Sequence, residues 1–148
     1  MASQFPILLV DDDIAISDIL TRAAERAFPE AHFIHVSSFS QAAAYLEGLE
    51  GKGPRLVLLD IDLQTGLSGF DFLSLLRQHP QGKLVPVIVL SSSQEDSKAK
   101  EAYQRGANAY TPKPFSYLDW KSYVQQLRAY WFGTVTIPTF WFENDTTE

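Results

Sequence analysis

The sequence predicts an α/β fold, a doubly wound parallel sheet of five strands with helices packed on its faces. Three observations lead there. Short apolar runs bounded by turn residues alternate with longer stretches of helical period, the signature of strands joined by crossover helices. The third run, Leu56, Val57, Leu58 and Leu59, is continuously apolar, as a strand covered on both faces must be. The chain has 148 residues, which suits one domain with a single core.

Phe5 to Val10 reads as the first strand. Ile16, Ile19, Leu20, Ala23, Ala24 and Ala27 then fall on one helical face, and Pro29 ends that helix. His32 to Val36 is the second strand, followed by a helix capped by Ser40 that runs through Ala44, Leu46 and Leu49 to the break at Gly51 and Gly53. Arg55 to Asp60 is the third strand. Gly69 opens a helix with Phe72, Leu73 and Leu76 on one side, closed by His79, Pro80 and Gly82. Val85 to Leu90 is the fourth strand, Ser91 to Ser93 offer caps, and a polar helix follows whose thin apolar stripe is Ala99, Ala102 and Tyr103. Ala109 to Thr111 forms a short fifth strand. Phe115 to about Trp131 is the last helix, facing inward through Trp120, Tyr123, Val124, Leu127 and Trp131. Residues 5–131 therefore make one domain. Residues 132–148 form an extension whose Val135, Ile137, Phe140, Trp141 and Phe142 are more apolar than a disordered tail, so that it either folds back or builds an interface.

Composition narrows the function. Hydrophobic residues are 45% and charged residues 20%, values of a globular protein rather than a disordered one. No cysteine is present, which excludes disulfides, thiolate metal sites and a cysteine nucleophile. The net charge of −6, with scattered basic residues, argues against direct DNA binding. The first residues lack the basic flank and long apolar core of a signal peptide, and no run approaches the roughly 20 apolar residues of a membrane span, so a cytoplasmic location is expected.

In a parallel sheet built by right-handed crossovers every strand ends on the same edge, and sites gather where the strand order reverses. Asp11 and Asp12 follow strand one, Asp60 ends strand three, Ser91 follows strand four and Lys113 follows strand five. An isolated Asp after a strand is commonly a cap, a role that suits Asp13. The coincidence of several is different, because two carboxylates about 4 Å apart repel by roughly 4 kcal/mol at an effective dielectric of 20. Such a cluster calls for a cation, and with oxygen ligands alone Mg²⁺ is the natural one. Asp60, on the strand most deeply buried, is the candidate nucleophile toward phosphorus; the metal and Lys113 would offset charge on the transferring group, and Ser91 would hydrogen-bond it.

Taken together these residues resemble the receiver domain of bacterial response regulators over about residues 5 to 131. The carrying stretches are ILLVDDD at 7–13, LVLLDIDL at 56–63, GFDFL at 69–73, VPVIVLSSS at 85–93 and GANAYTPKPF at 106–115. The resemblance implies a flavodoxin-like (βα)5 fold with strand order 2-1-3-4-5. It implies that Asp11, Asp12, Asp60 and the carbonyl of Asp62 hold Mg²⁺, and that Asp60 accepts a phosphoryl group from a sensor histidine kinase or phosphotransfer protein. Ser91 and Lys113 would contact that group, Tyr110 would be the switch aromatic, and a cis peptide is expected between Lys113 and Pro114. Four features depart from the family pattern: Gln64 replaces a usual proline, the QTGLSG loop is one residue longer, Asp62 adds a fourth acid, and Ser91 stands for threonine.

The implied function is a stand-alone regulator, not an enzyme apart from its own Mg²⁺-dependent phosphorylation and dephosphorylation. It would signal by protein contact, including a homodimer through helix four, strand five, helix five and the aromatic tail. The rival reading is a Mg²⁺-dependent hydrolase of the haloacid-dehalogenase type, since Asp60 and Asp62 imitate its two acids. That fold would want its nucleophile on the first strand.

Overall fold

A computed structural model describes residues 4–64 and 66–143. Strands β1 (Phe5–Val10), β2 (Ala31–Val36), β3 (Leu56–Asp60), β4 (Val87–Ser91) and β5 (Ala109–Pro112) form one parallel sheet in the order β2-β1-β3-β4-β5, as expected. β3 and β4 are buried along their whole length, and their unbroken Leu, Val and Ile runs fill both sheet faces. Helices α1 (Ile14–Ala27), α2 (Phe39–Glu47), α3 (Gly69–Gln78), α4 (Asp96–Gln104) and α5 (Tyr117–Leu127) supply the crossovers. The chain leaves β1 toward β2 on one side and crosses to β3 on the other, so a crevice opens at the carboxyl ends of β1 and β3.

Helix starts differ in detail from the expectation. Asp13 caps α1 by accepting the Ala15 N–H at 3.0 Å, as anticipated. The cap of α2 is Ser38 rather than Ser40: its hydroxyl accepts the Gln41 N–H at 3.1 Å, while Ser40 already lies inside the helix. α4 lacks a side-chain cap, because Ser91 and Ser93 spend their hydroxyls on the N–H groups of Ser93 and Glu95 within the loop. The Lys113–Pro114 peptide is trans, since no cis bond occurs among the described residues. Trans is the ordinary preference of an X–Pro bond, and the lysine reaches the acid cluster without a cis turn.

α5 continues into a π-helical turn, Arg128–Phe132, which Arg128 ties to Glu30 by two bonds of 2.8 Å. Beyond it the chain folds back on its own domain. Ile137, Phe140 and Phe142 are buried, and Phe142 pairs with Gly51 in an antiparallel bridge. Arg55, just before β3, donates to the carbonyls of Ile137 and Pro138 at 2.9 and 2.8 Å and lies over the Phe140 ring. Burying each phenylalanine contributes about 2–3 kcal/mol toward holding the strap. Gly53 is required beneath it: with φ +67 and the Phe142 ring where a Cβ would stand, no larger residue fits. Trp141 remains 60% exposed.

Candidate phosphoryl-acceptor site

Strands β1, β3, β4 and β5 each deliver polar residues to the carboxyl edge. Among the described residues, Asp11, Asp60 and Ser91 are the buried polar ones, at 0%, 2% and 0% exposure. Their burial follows from the sheet, because β1, β3 and β4 are its three inner strands and end side by side. Gly69 lets the first turn of α3 press against the end of β3, where a Cβ would collide with the Asp60 carbonyl oxygen.

The carboxylates are held by the turns that follow them. Asp11 accepts the Asp13 N–H and Asp60 the Asp62 N–H, both at 2.9 Å. Asp12 accepts the Gln64 N–H at 2.8 Å, which ties the start of the lengthened loop to the acid pair. Lys113 places its ammonium 3.0 Å from Asp11 Oδ2 and 3.2 Å from Asp60 Oδ2. The contact to Asp11 is charge pairing, since Asp11 Oδ2 lies buried without a well-directed hydrogen bond. One ammonium thus faces two buried acids. Burial pushes the Asp60 carboxyl up to about 6, reinforced by Asp11 and opposed by the Asp62 N–H and Lys113. Burial alone would lower the Lys113 pKa, but Asp60 and Asp11 overcome it and hold the ammonium above its ordinary value.

A divalent cation fits this arrangement. Carboxylate oxygens of Asp11, Asp12 and Asp60 lie within 4.8 Å of one another, all are hard oxygen donors, and Asp11 Oδ2 is buried without a hydrogen bond. The Asp62 carboxylate stands outside that cluster. Its Oδ2 accepts the Ser91 hydroxyl at 3.4 Å, and its Oδ1 lies 3.6 Å from the Lys98 ammonium of α4. Its carbonyl accepts the Gln64 side-chain N–H at 3.4 Å, a long bond that a stronger partner could displace. Asp12, Asp13, Asp60, Asp62, Gln64, Ser92 and Lys113 line an open pocket that gives solvent access to the acids. Tyr110 is half-buried on β5 and donates to the Ser93 carbonyl at 2.7 Å, in the loop that follows Ser91.

Sequence reasoning missed two contributors. Lys98 carried no motif, and its contact with Asp62 emerges only when α4 packs against β5 and brings its first turn to the cleft. His35 reads as a strand residue, yet its Nε2 lies 2.7 Å from the Asp11 carbonyl.

The family model described as "Response regulator receiver domain" matches residues 7–125. The probable methanogenesis regulatory protein FilR2 of Methanothrix harundinacea is 35% identical over 132 residues, covering 87% of this chain and 84% of that protein. The response regulator Rcp1 of Synechocystis is 29% identical over 136 residues, covering 89% and 92%. Its Mn²⁺-bound crystal structure superposes with a TM-score of 0.79 at 28% identity, over 91% of this chain and 99% of that one. The phosphorylated cyanobacterial phytochrome response regulator RcpA gives a TM-score of 0.83 at 26% identity, over 93% and 100%.

Proposed function

We propose, from the premise that the chain belongs to the response regulator receiver family of two-component systems, that it is a signalling module whose Asp60 accepts a phosphoryl group from a phosphohistidine donor. The observation that carries the reading is the buried Asp60 carboxylate. It faces an open pocket, shares the Lys113 ammonium with Asp11, and lies in one oxygen cluster with Asp11 and Asp12. The fold and the family support it against the hydrolase, because the nucleophile ends the third strand of a receiver sheet. Among the described residues no helix is long and apolar enough to cross a membrane.

In the proposed step an Asp60 carboxylate oxygen attacks phosphorus, the P–N bond to the donor imidazole breaks, and its electron pair returns to that nitrogen. A Mg²⁺ ion held by Asp11, Asp12, Asp60 and the Asp62 carbonyl would neutralise the acids and the phosphoryl oxygens. Lys113 offsets charge at the same point from the β5 side. Ser91 turns its hydroxyl from Asp62 to a phosphoryl oxygen, and Tyr110, bonded to the loop just after it, follows as the switch aromatic. Output would pass through α4, β5 and α5 to a protein partner or a second copy. With much of the tail folded back, the outward aromatics left for a dimer among the described residues are Tyr103, Phe115, Tyr117, Tyr130 and Trp141.

Incubation with acetyl phosphate and Mg²⁺ should add the mass of one phosphoryl group, and Asp60→Asn should remove that addition. A variant modified as readily as the parent would overturn the assignment. Beryllofluoride with Mg²⁺ should also lower the elution volume on sizing if phosphorylation drives dimers.

A further inference from the structure

We infer that His35, on the edge strand β2, is a positioning residue for the metal-binding acids, acting through the backbone of Asp11. A carbonyl oxygen can only accept, so the 2.7 Å contact between His35 Nε2 and the Asp11 carbonyl assigns the ring proton to Nε2. The neighbouring residue of the same strand completes the hold, because the Asp11 N–H donates to the Val36 carbonyl at 3.1 Å. β2 therefore fixes both main-chain polar groups of Asp11. The turn fixes one side-chain oxygen through the Asp13 N–H, and Lys113 faces the other.

The carbonyl held by His35 belongs to the peptide joining Asp11 to Asp12. Rotation of that peptide plane would carry the Asp12 carboxylate away from Asp11 and Asp60, with which it shares a 4.8 Å cluster. The Asp11 side chain is fully buried and is itself held by its turn and by Lys113. Strand β2 otherwise contributes no side chain to the cleft. His35 is thus the route by which an edge strand sets the spacing of an acid pair on β1. Residues that orient ligands in this indirect way commonly alter metal affinity by about 10–100-fold when changed. Because the bond here goes to a backbone oxygen, the lower end of that range is expected.

The inference rests on the proposed metal site, and the test separates the two. Mg²⁺ and Mn²⁺ affinities would be measured by calorimetry, with metal-free melting curves, on the parent, His35→Leu and His35→Gln. The glutamine amide can place an N–H where His35 Nε2 stands. Weakening of about tenfold in His35→Leu, with His35→Gln within about threefold of the parent, is the expected result. Equal affinity in all three, or equal weakening in both variants, overturns the positioning role. A parent that binds neither ion overturns the metal site instead. Should His35→Leu fail to fold, His35→Phe and the His35→Gln rescue carry the same comparison.

Discussion

On the β1–β3 side of the cleft, Asp11 and Asp60 each accept a turn N–H at 2.9 Å and share one ammonium at 3.0 and 3.2 Å. On the β4–α4 side, Ser91 reaches Asp62 at 3.4 Å and Lys98 stands 3.6 Å from the same carboxylate. In the first half both acids are buried and each has one oxygen directed by a turn N–H. In the second Ser91 is buried but Asp62 and Lys98 are partly exposed, and the contacts to the Asp62 carboxylate are at or beyond the limit of hydrogen-bond length. The difference separates two jobs. On the proposed reading, oxygens that would meet a cation are fixed in advance, whereas the Ser91 hydroxyl and α4, which would move on phosphorylation, reach Asp62 only through long contacts.

The sharpest way to break this contrast is Lys113→Met. Two buried carboxylates would then face each other without a cation, and the metal-free protein should lose about 3–5 kcal/mol at neutral pH in denaturant unfolding. A loss under about 1 kcal/mol would mean that the acid side is not charge-balanced by the lysine.

Asp60→Asn acts in the opposite direction. Its carboxyl is raised from 3.8 to about 6, so the folded protein binds that proton more tightly than the unfolded chain. The resulting stabilisation is present at low pH and is lost as pH climbs from about 4 through about 6, amounting to about 3 kcal/mol. Metal-free Asp60→Asn should therefore be the more stable protein at pH 7 by about that amount, with a flatter stability profile from pH 4 to 6. Parallel pH profiles for parent and variant would show that Asp60 titrates normally.

The smallest effect belongs to Lys98→Gln. The ion pair with Asp62 is partly solvated, and its loss should change global stability by less than about 1 kcal/mol. Amide exchange in the first turn of α4 should nevertheless quicken before phosphorylation. Unchanged exchange there would remove Lys98 as a link between Asp62 and the helix.

Much of the fold was legible because the hydrophobic period switches cleanly, from the unbroken Leu56–Leu59 run to the spaced apolar face of α1. The acceptor cluster was legible for a topological reason, since parallel strands put Asp11, Asp12, Asp60, Ser91 and Lys113 on one edge. The cap of α2 was misplaced because Ser38 and Ser40 are chemically equivalent, and only the backbone decides which precedes the first turn. Lys98 and His35 were not legible at all. Each acts through one contact with a residue remote in sequence, which no periodicity encodes. The folded-back tail likewise depends on Arg55 finding two carbonyls more than eighty residues away.

That strap has a consequence for the connectivity of the molecule. Gln4, ahead of β1, and Thr139, within the strap, line the same small hollow with Lys52, Gly53 and Arg55. The path from strap to first strand is short, so the described chain is nearly a closed ring. A circular permutant joining these two regions through a brief linker would retain every strand pairing, and the acid cluster would stay at the far edge of the sheet from the new joint.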